Sequence, residues 1–226
     1  MCGRFAIGLP PKSLAEHFKL DAFPDFSQRF NIAPTQDVAT VSRGNDNADK
    51  AVIRKWGLIP GWAKESKIGA KMINARAESI TEKPSFKNPF KSKRCLVPAS
   101  AFYEWQGKGK NRRPWLISLK NCNIITFAGI FDRWINEDDV TIESFSIITT
   151  AANELVKPIH DRMPVILNPE RYDAWLDHST DMATISSFLS PYPADDMERY
   201  EVSPLVNNVR NDSPACIEKS RTLFDL

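Results

Sequence analysis

The sequence predicts a mixed chain in which short extended segments outnumber short helices, filling one large domain or two small ones. Three observations lead there. A length of 226 residues is enough to bury a substantial core. The apolar runs are short and are broken by prolines, glycines and Asn/Asp clusters. Helical spacing of apolar residues holds only over brief stretches. The 42% hydrophobic and 26% charged content are ordinary for a soluble globular protein, so no disordered or fibrous class is indicated.

The elements follow in chain order. Residues 3–7 read as a strand broken by Pro10 and Pro11. Residues 12–18 have helical spacing, with Ser13 and Glu16 placed as a capping box. Residues 21–28 are a loop, and residues 29–35 are extended and closed by Pro34. Residues 37–41 and 50–56 form a strand pair around the turn at 44–47. The basic segment 83–94 interleaves Phe86 and Phe90 with lysines, which suits a nucleic-acid backbone or an ordinary exposed loop. Residues 95–99 are a buried strand leading into 100–105. The tip at 107–113 has the composition of a phosphate-binding loop but no GxxxxGK[ST]. Strands at 114–119 and 124–131 flank a turn, and 145–150 is another strand. Short helices are expected at 151–156, ended by Pro158, and at 169–176 and 183–189, before a tail at 200–209. No internal repeat is visible.

Composition narrows function only coarsely. A net charge of +2 implies no nucleic acid unless a local basic patch exists. Cys2, Cys95, Cys122 and Cys216 show no CxxC spacing, which argues against a structural zinc and for a reducing compartment. Cys122 and Cys216 read as packing residues. No apolar run approaches the ~18 residues of a membrane span, so a cytoplasmic protein is expected.

Chemistry concentrates in a few places. Met1 followed by Cys2 is a pair from which the methionine is normally trimmed. Trimming would leave an amine titrating near ~8 beside a thiol near ~8.5. An aldehyde could then form a Schiff base with the amine and close a thiazolidine with the thiol. The alternative is an unremarkable terminus. The Pro/Gly-shaped stretch 56–64 carries Trp56, expected in the core, and Trp62, which fits a base-stacking platform or the core. If residues 73–78 are extended, Asn74, Arg76 and Glu78 share one face. Asn74 can hold a reacting group without titrating, and Arg76 can fork onto a phosphate. Glu104 sits among Phe102, Tyr103 and Trp105, an apolar setting that raises a carboxyl pKa toward acid–base use. His160 lies in a non-regular stretch between two prolines, a better place for a catalytic histidine than a helix face. Arg162 beside it could take a phosphate, whereas His17 and His178 are given no role.

Taken together, the segments at 1–5, 29–34, 56–62, 73–78, 102–105 and 159–164 match in order the SRAP (SOS response-associated peptidase) domain, and the chain resembles that family over nearly its whole length. The resemblance implies one α+β domain over 1–226 with a mostly antiparallel, barrel-like sheet and peripheral helices. It implies binding of single-stranded DNA at an abasic site and covalent capture of the aldehyde by Cys2. It implies that Asn74 positions Cys2 and the sugar, that Glu104 shuttles protons and that His160 protonates the ring oxygen. Arg4, Arg76 and Arg162 would grip phosphates, Trp62 would stack on a base, and Thr149 matches a position near the site. No cofactor or metal is implied, and a monomer is expected. One departure is Ala63, where some members carry a second aromatic. Rival readings are an N-terminal glutamine amidohydrolase, a peptidase acting on its own Met1 and a non-covalent single-strand binder.

Overall fold

Strand β1 (Phe5–Ile7) carries the start of the chain into the core, all three residues being buried. In this computed structural model, which describes residues 2–109 and 112–220, Phe5 sits at the junction of two sheets. Its ring stands edge-on to Trp56 at 5.0 Å and to Phe127 at 5.8 Å. Such contacts add to area burial, so the segment bearing Cys2 is anchored rather than loose. Cys2 itself has no exposed surface.

The larger sheet is a barrel. Strands β3 (Asp37–Arg43), β4 (Asp49–Trp56), β6 (Arg94–Ala99), β9 (Ile125–Ile135) and β10 (Thr141–Ala151) run in the order β10-β4-β3-β6-β9. Closure comes from the long β9–β10 ladder, from Ile135 opposite Thr141 to Gly129 opposite Ile147. Only β10–β4 is parallel within this ring. The end of β10 continues past it and takes two further strands. On one side β5 (Asn74–Arg76) pairs in parallel, with Asn74 beside Ile147 and Arg76 beside Thr149. On the other, β11 (Arg162–Pro164) pairs antiparallel, with Arg162 opposite Ala151. The second sheet has the order β12-β8-β7-β1-β2 and is antiparallel throughout. Its other members are β2 (Arg29–Ile32), β7 (Ala101–Gln106), β8 (Arg113–Leu119) and β12 (Met197–Glu201). Helices α1 (Pro11–Phe18), α2 (Pro84–Ser92), α3 (Tyr172–Leu176) and α4 (Met182–Ser187) are short and peripheral. This is the expected α+β fold, mostly antiparallel and built on a barrel. No helix among the described residues is long and apolar enough to cross a membrane.

Several local expectations are corrected. α1 begins at Pro11, so Ser13 lies inside the first turn, and no side chain caps the helix. The Ser13 and Leu14 N–H groups donate instead to the Pro10 carbonyl. Residues 83–94 are neither an exposed loop nor a nucleic-acid surface throughout. They contain α2, in which Phe90 is buried, and Arg94 is fully buried at the start of β6. The Arg94 guanidinium donates to the carbonyls of Trp175, Phe90, Lys91 and Asp177, a set that satisfies a buried cation without a carboxylate. The helix expected at 151–156 is a run of turns at 154–159. Asn153 caps it through Val156 N–H, and Pro158 has no N–H to extend it. The strand at 74 ends at Arg76, and Glu78 lies in a 3-10 turn, Ala77–Ser79, off the shared face. Cys216 is packed inside as expected, whereas Cys122 is exposed. The strands flanking the turn at 121–123 belong to different sheets.

Candidate functional site

The two sheets bring together residues remote in sequence. The Tyr103 N–H donates to the Arg4 carbonyl at 2.9 Å, continuing the β1–β7 ladder toward the chain start and setting Glu104 close to Cys2. From the barrel side, Asn74 Nδ2 donates to the Cys2 carbonyl at 2.9 Å. Asn74 Oδ1 is buried and has no hydrogen-bond partner among the described residues, leaving an acceptor open. Cys2 is thus held from both sheets.

The electrostatics of this pair are opposed to an ordinary thiolate. Burial pushes the Cys2 thiol far above its usual pKa, and the charge of Glu104 adds to the effect. A buried, neutral thiol is a poor nucleophile at neutral pH. Glu104 is only 3% exposed, and burial raises its carboxyl to about 7, with Asp161 adding and Arg112 opposing. A carboxyl at that value can both donate and accept protons near neutrality.

His160 follows the turn at 154–159, half-buried, and lines the same pocket as Glu104. Its Nδ1 accepts from the Arg162 backbone N–H at 3.0 Å. Nδ1 also lies 3.0 Å from Asp161 Oδ1, but it cannot accept the amide proton and donate to Asp161 at once. Burial lowers the His160 pKa, which favours the neutral ring with its proton on Nε2. The Asp161 contact is therefore proximity rather than an ion pair at neutral pH.

The arginines divide into different situations. Arg4 Nη1 donates to Asn31 Oδ1 at 2.7 Å and to the Val206 carbonyl at 2.9 Å, so much of its guanidinium serves the fold. Arg162 forms a fork on Glu78 at 2.6 and 2.8 Å and also donates to the Thr149 carbonyl. Thr149 is fully buried on β10, between Arg76 and Pro164. Arg76 is exposed and enters no ion pair among the described residues. Trp62 is 62% exposed on a loop pinned to the barrel. The Gly61 N–H donates to Asp132, the Ile59 N–H to Ser144, and Trp134 Nε1 to the Ala63 carbonyl. Gly57 in this loop has φ +127°, and a Cβ there would lie 2.6 Å from the Gly69 carbonyl oxygen. Ala63 is buried, clustered with Ile59 and Trp134, and adds no exposed surface beside Trp62.

A cleft of about 770 Å³ opens over Glu104 and His160, with Gly3 and Arg4 in its lining. It also contains Trp105, Lys108, Arg112 and Asn207, none of them singled out from sequence. Trp105 was visible only as an apolar neighbour of Glu104, and the basic tip only as composition. Asn207 reaches the site because Asn31, buried, donates to the carbonyls of Val206, Asn208 and Asn211 and so draws the tail against β2. No sequence pattern marks that contact. No group of His, Cys, Asp and Glu able to hold a metal occurs among the described residues.

A model of the SOS response associated peptidase (SRAP) family matches residues 1–209. The chain belongs to that family. Relatives agree in name. The chain is 46% identical over 223 residues to the Bacillus subtilis (strain 168) "Abasic site processing protein YoqW", covering 96% of this chain and 99% of that one. It is 36% identical over 204 residues to the Mus musculus "Abasic site processing protein HMCES", covering 76% of this chain and 58% of that longer protein. Among solved structures, a protein from Bacteroides thetaiotaomicron superposes with a TM-score of 0.87 at 28% identity, covering 97% of this chain and all of that one.

Proposed function

We propose that this protein processes abasic sites in single-stranded DNA, capturing the opened sugar on Cys2 after removal of Met1. The observation that carries the reading is Glu104, a carboxyl held near neutrality beside Cys2. The names of its relatives, abasic site processing proteins, favour the same substrate.

The chemistry proceeds in two balanced steps. The α-amine of trimmed Cys2 adds to the sugar aldehyde, and the carbinolamine loses water to give a Schiff base. The Cys2 thiol then adds to the imine carbon, its proton passing to nitrogen, and the thiazolidine closes. An amine-first order fits the raised thiol pKa, because the thiol is not preformed as thiolate. Glu104 accepts a proton from the attacking amine and returns it to the departing water. His160 Nε2–H donates to the ring oxygen and promotes opening to the aldehyde. The open acceptor on Asn74 suits a sugar hydroxyl or the Cys2 amine.

Strand binding in this reading rests on a local cluster rather than global charge. Arg76 lies beside Thr149 on β5 and Arg162 opposite Ala151 on β11, so the two arginines flank the end of β10 from either side. For Arg162 this requires exchange of Glu78 for phosphate. Trp62 supplies a face for an unpaired base. The protein acts as a monomer in the cytoplasm.

The test is a denaturing gel of the protein with a single-stranded oligonucleotide containing one abasic site. A shifted band that survives denaturant supports covalent capture. A complex that forms in native conditions and vanishes entirely in denaturant supports the non-covalent binder instead.

A further inference from the structure

Gly107, Lys108, Gly109 and Arg112, between β7 and β8, have no part in the chemistry above, yet they line the cleft over Glu104. Gly107 and Gly109 hold φ of +89° and +62°, a left-handed geometry that glycine adopts without strain, on either side of Lys108, which lines the cleft. Arg112 lies with its guanidinium carbon 5.2 Å from the Trp105 ring centroid, and Arg4 lies 5.5 Å from the same ring. The Trp105 indole is itself fixed, Nε1 donating to Asn207 Oδ1 at 2.6 Å.

Neighbouring cations are not equivalent. Arg113 donates to Gln106 at 2.7 Å and pairs with Glu201 at 3.5 Å. Lys108 and Arg112 make no ion pair or hydrogen bond with a described residue, and Arg112's one ring contact is with Trp105. A guanidinium resting on an indole keeps its N–H fork free for a planar or tetrahedral anion. The acid in the cleft lining is Glu104, which burial keeps partly protonated at neutral pH. The cleft therefore presents Arg4, Lys108 and Arg112 to whatever lies in it, opposed by Glu104 and by Asp161 beside His160. Its volume is that of a ligand-sized site.

We propose that Lys108 and Arg112 each grip a backbone phosphate of the DNA strand as it crosses the cleft beside Glu104, with Trp105 holding Arg112 in place. The inference rests on the abasic-site reading. It adds a contact on the five-stranded sheet to the arginines on the barrel side. Trp105 is a positioning residue in this arrangement and Arg112 a binding residue.

The experiment is the salt dependence of affinity for an undamaged single-stranded oligonucleotide. Lys108→Ala and Arg112→Ala should each reduce the log–log salt slope by about 0.7 and weaken binding, since one phosphate contact is lost. Arg112→Lys should restore most of the slope. Trp105→Ala should lower affinity in the same direction as Arg112→Ala and add little to it in the double variant. Arg113→Ala, whose side chain is already paired, should keep the wild-type slope. If Lys108→Ala and Arg112→Ala, both folded by circular dichroism, keep the wild-type slope, the grip is refuted. A wild-type protein that binds the strand but never crosslinks an abasic one overturns the covalent reading and leaves the grip standing. Wild-type protein that binds no single strand at any salt overturns both.

Discussion

Replacing Glu104 by glutamine separates two consequences of one buried carboxyl. Burial holds it at about 7 instead of the ordinary 4.5. Keeping it ionised in the fold therefore costs roughly 3 kcal/mol relative to the unfolded chain. The sign follows from the direction. The folded pKa lies above the unfolded one, so the group's stabilisation is fully present below pH 4.5 and is lost as pH rises through about 7. Glutamine does not titrate. The variant should match wild type within about 1 kcal/mol at pH 5 and exceed it by up to roughly 3 kcal/mol at pH 8.5. For a chain of this size that is a gain in Tm of roughly 6–12 °C at the higher pH. The same substitution removes the proton shuttle, so single-turnover crosslinking should fall by ~100-fold or more. Thermal melts at both pH values, run beside quenched crosslinking reactions, measure both effects. A variant whose Tm advantage does not grow with pH would refute the burial argument. A variant that crosslinks at the wild-type rate would refute the catalytic one.

Other substitutions probe separate parts of the account. Trp134→Phe removes the donor to the Ala63 carbonyl and should cost about 1–3 kcal/mol in denaturant melts while weakening single-strand binding, because the Trp62 loop loses an anchor. Arg162→Ala should cost about 1–3 kcal/mol of stability, since its side chain is only 12% exposed and its loss leaves the Thr149 carbonyl without that donor, and should lower the single-strand salt slope by about 0.7. An unchanged slope there would leave Arg162 a structural residue. Arg94→Met strands four backbone carbonyls and should destabilise the fold by at least ~3 kcal/mol by urea titration.

Much of the fold was legible where local signals agree. The strand pair around residues 44–47 shows β-rich runs and a turn cluster, and β3 and β4 pair there in full register. The apolar neighbours of Glu104 foretold its raised pKa, and the prolines around His160 foretold a loop. Barrel closure was not legible, because the β9–β10 ladder and the parallel β10–β4 pairing are choices between distant strands. The partners of charged residues were illegible for the same reason. Arg94 stands in a basic run that resembles a surface, and the last turns of α2 and α3 together supply the carbonyls that allow its burial. Arg162 reads as available, but Glu78 reaches it across the β5–β10–β11 segment. The cleft wall depends on Asn31 and Asp212 tying the tail to β2, with Asp212 accepting from the Phe30 and Asn31 N–H groups. Such polar hubs carry no periodicity to read.

The central claim is that Cys2 acts through its own α-amine. It is tested by comparing trimmed protein with protein extended by a few residues before Cys2, both incubated with abasic single-stranded DNA. The extended protein keeps the thiol but has no amine on Cys2. The account predicts that trimmed protein gives a heat-resistant adduct without reductant. It predicts that Cys2→Ala gives only a borohydride-trapped Schiff base, and that extended protein gives neither product. Extended protein that crosslinks as well as trimmed protein would contradict the account, because the reaction would then run through an ordinary thiol.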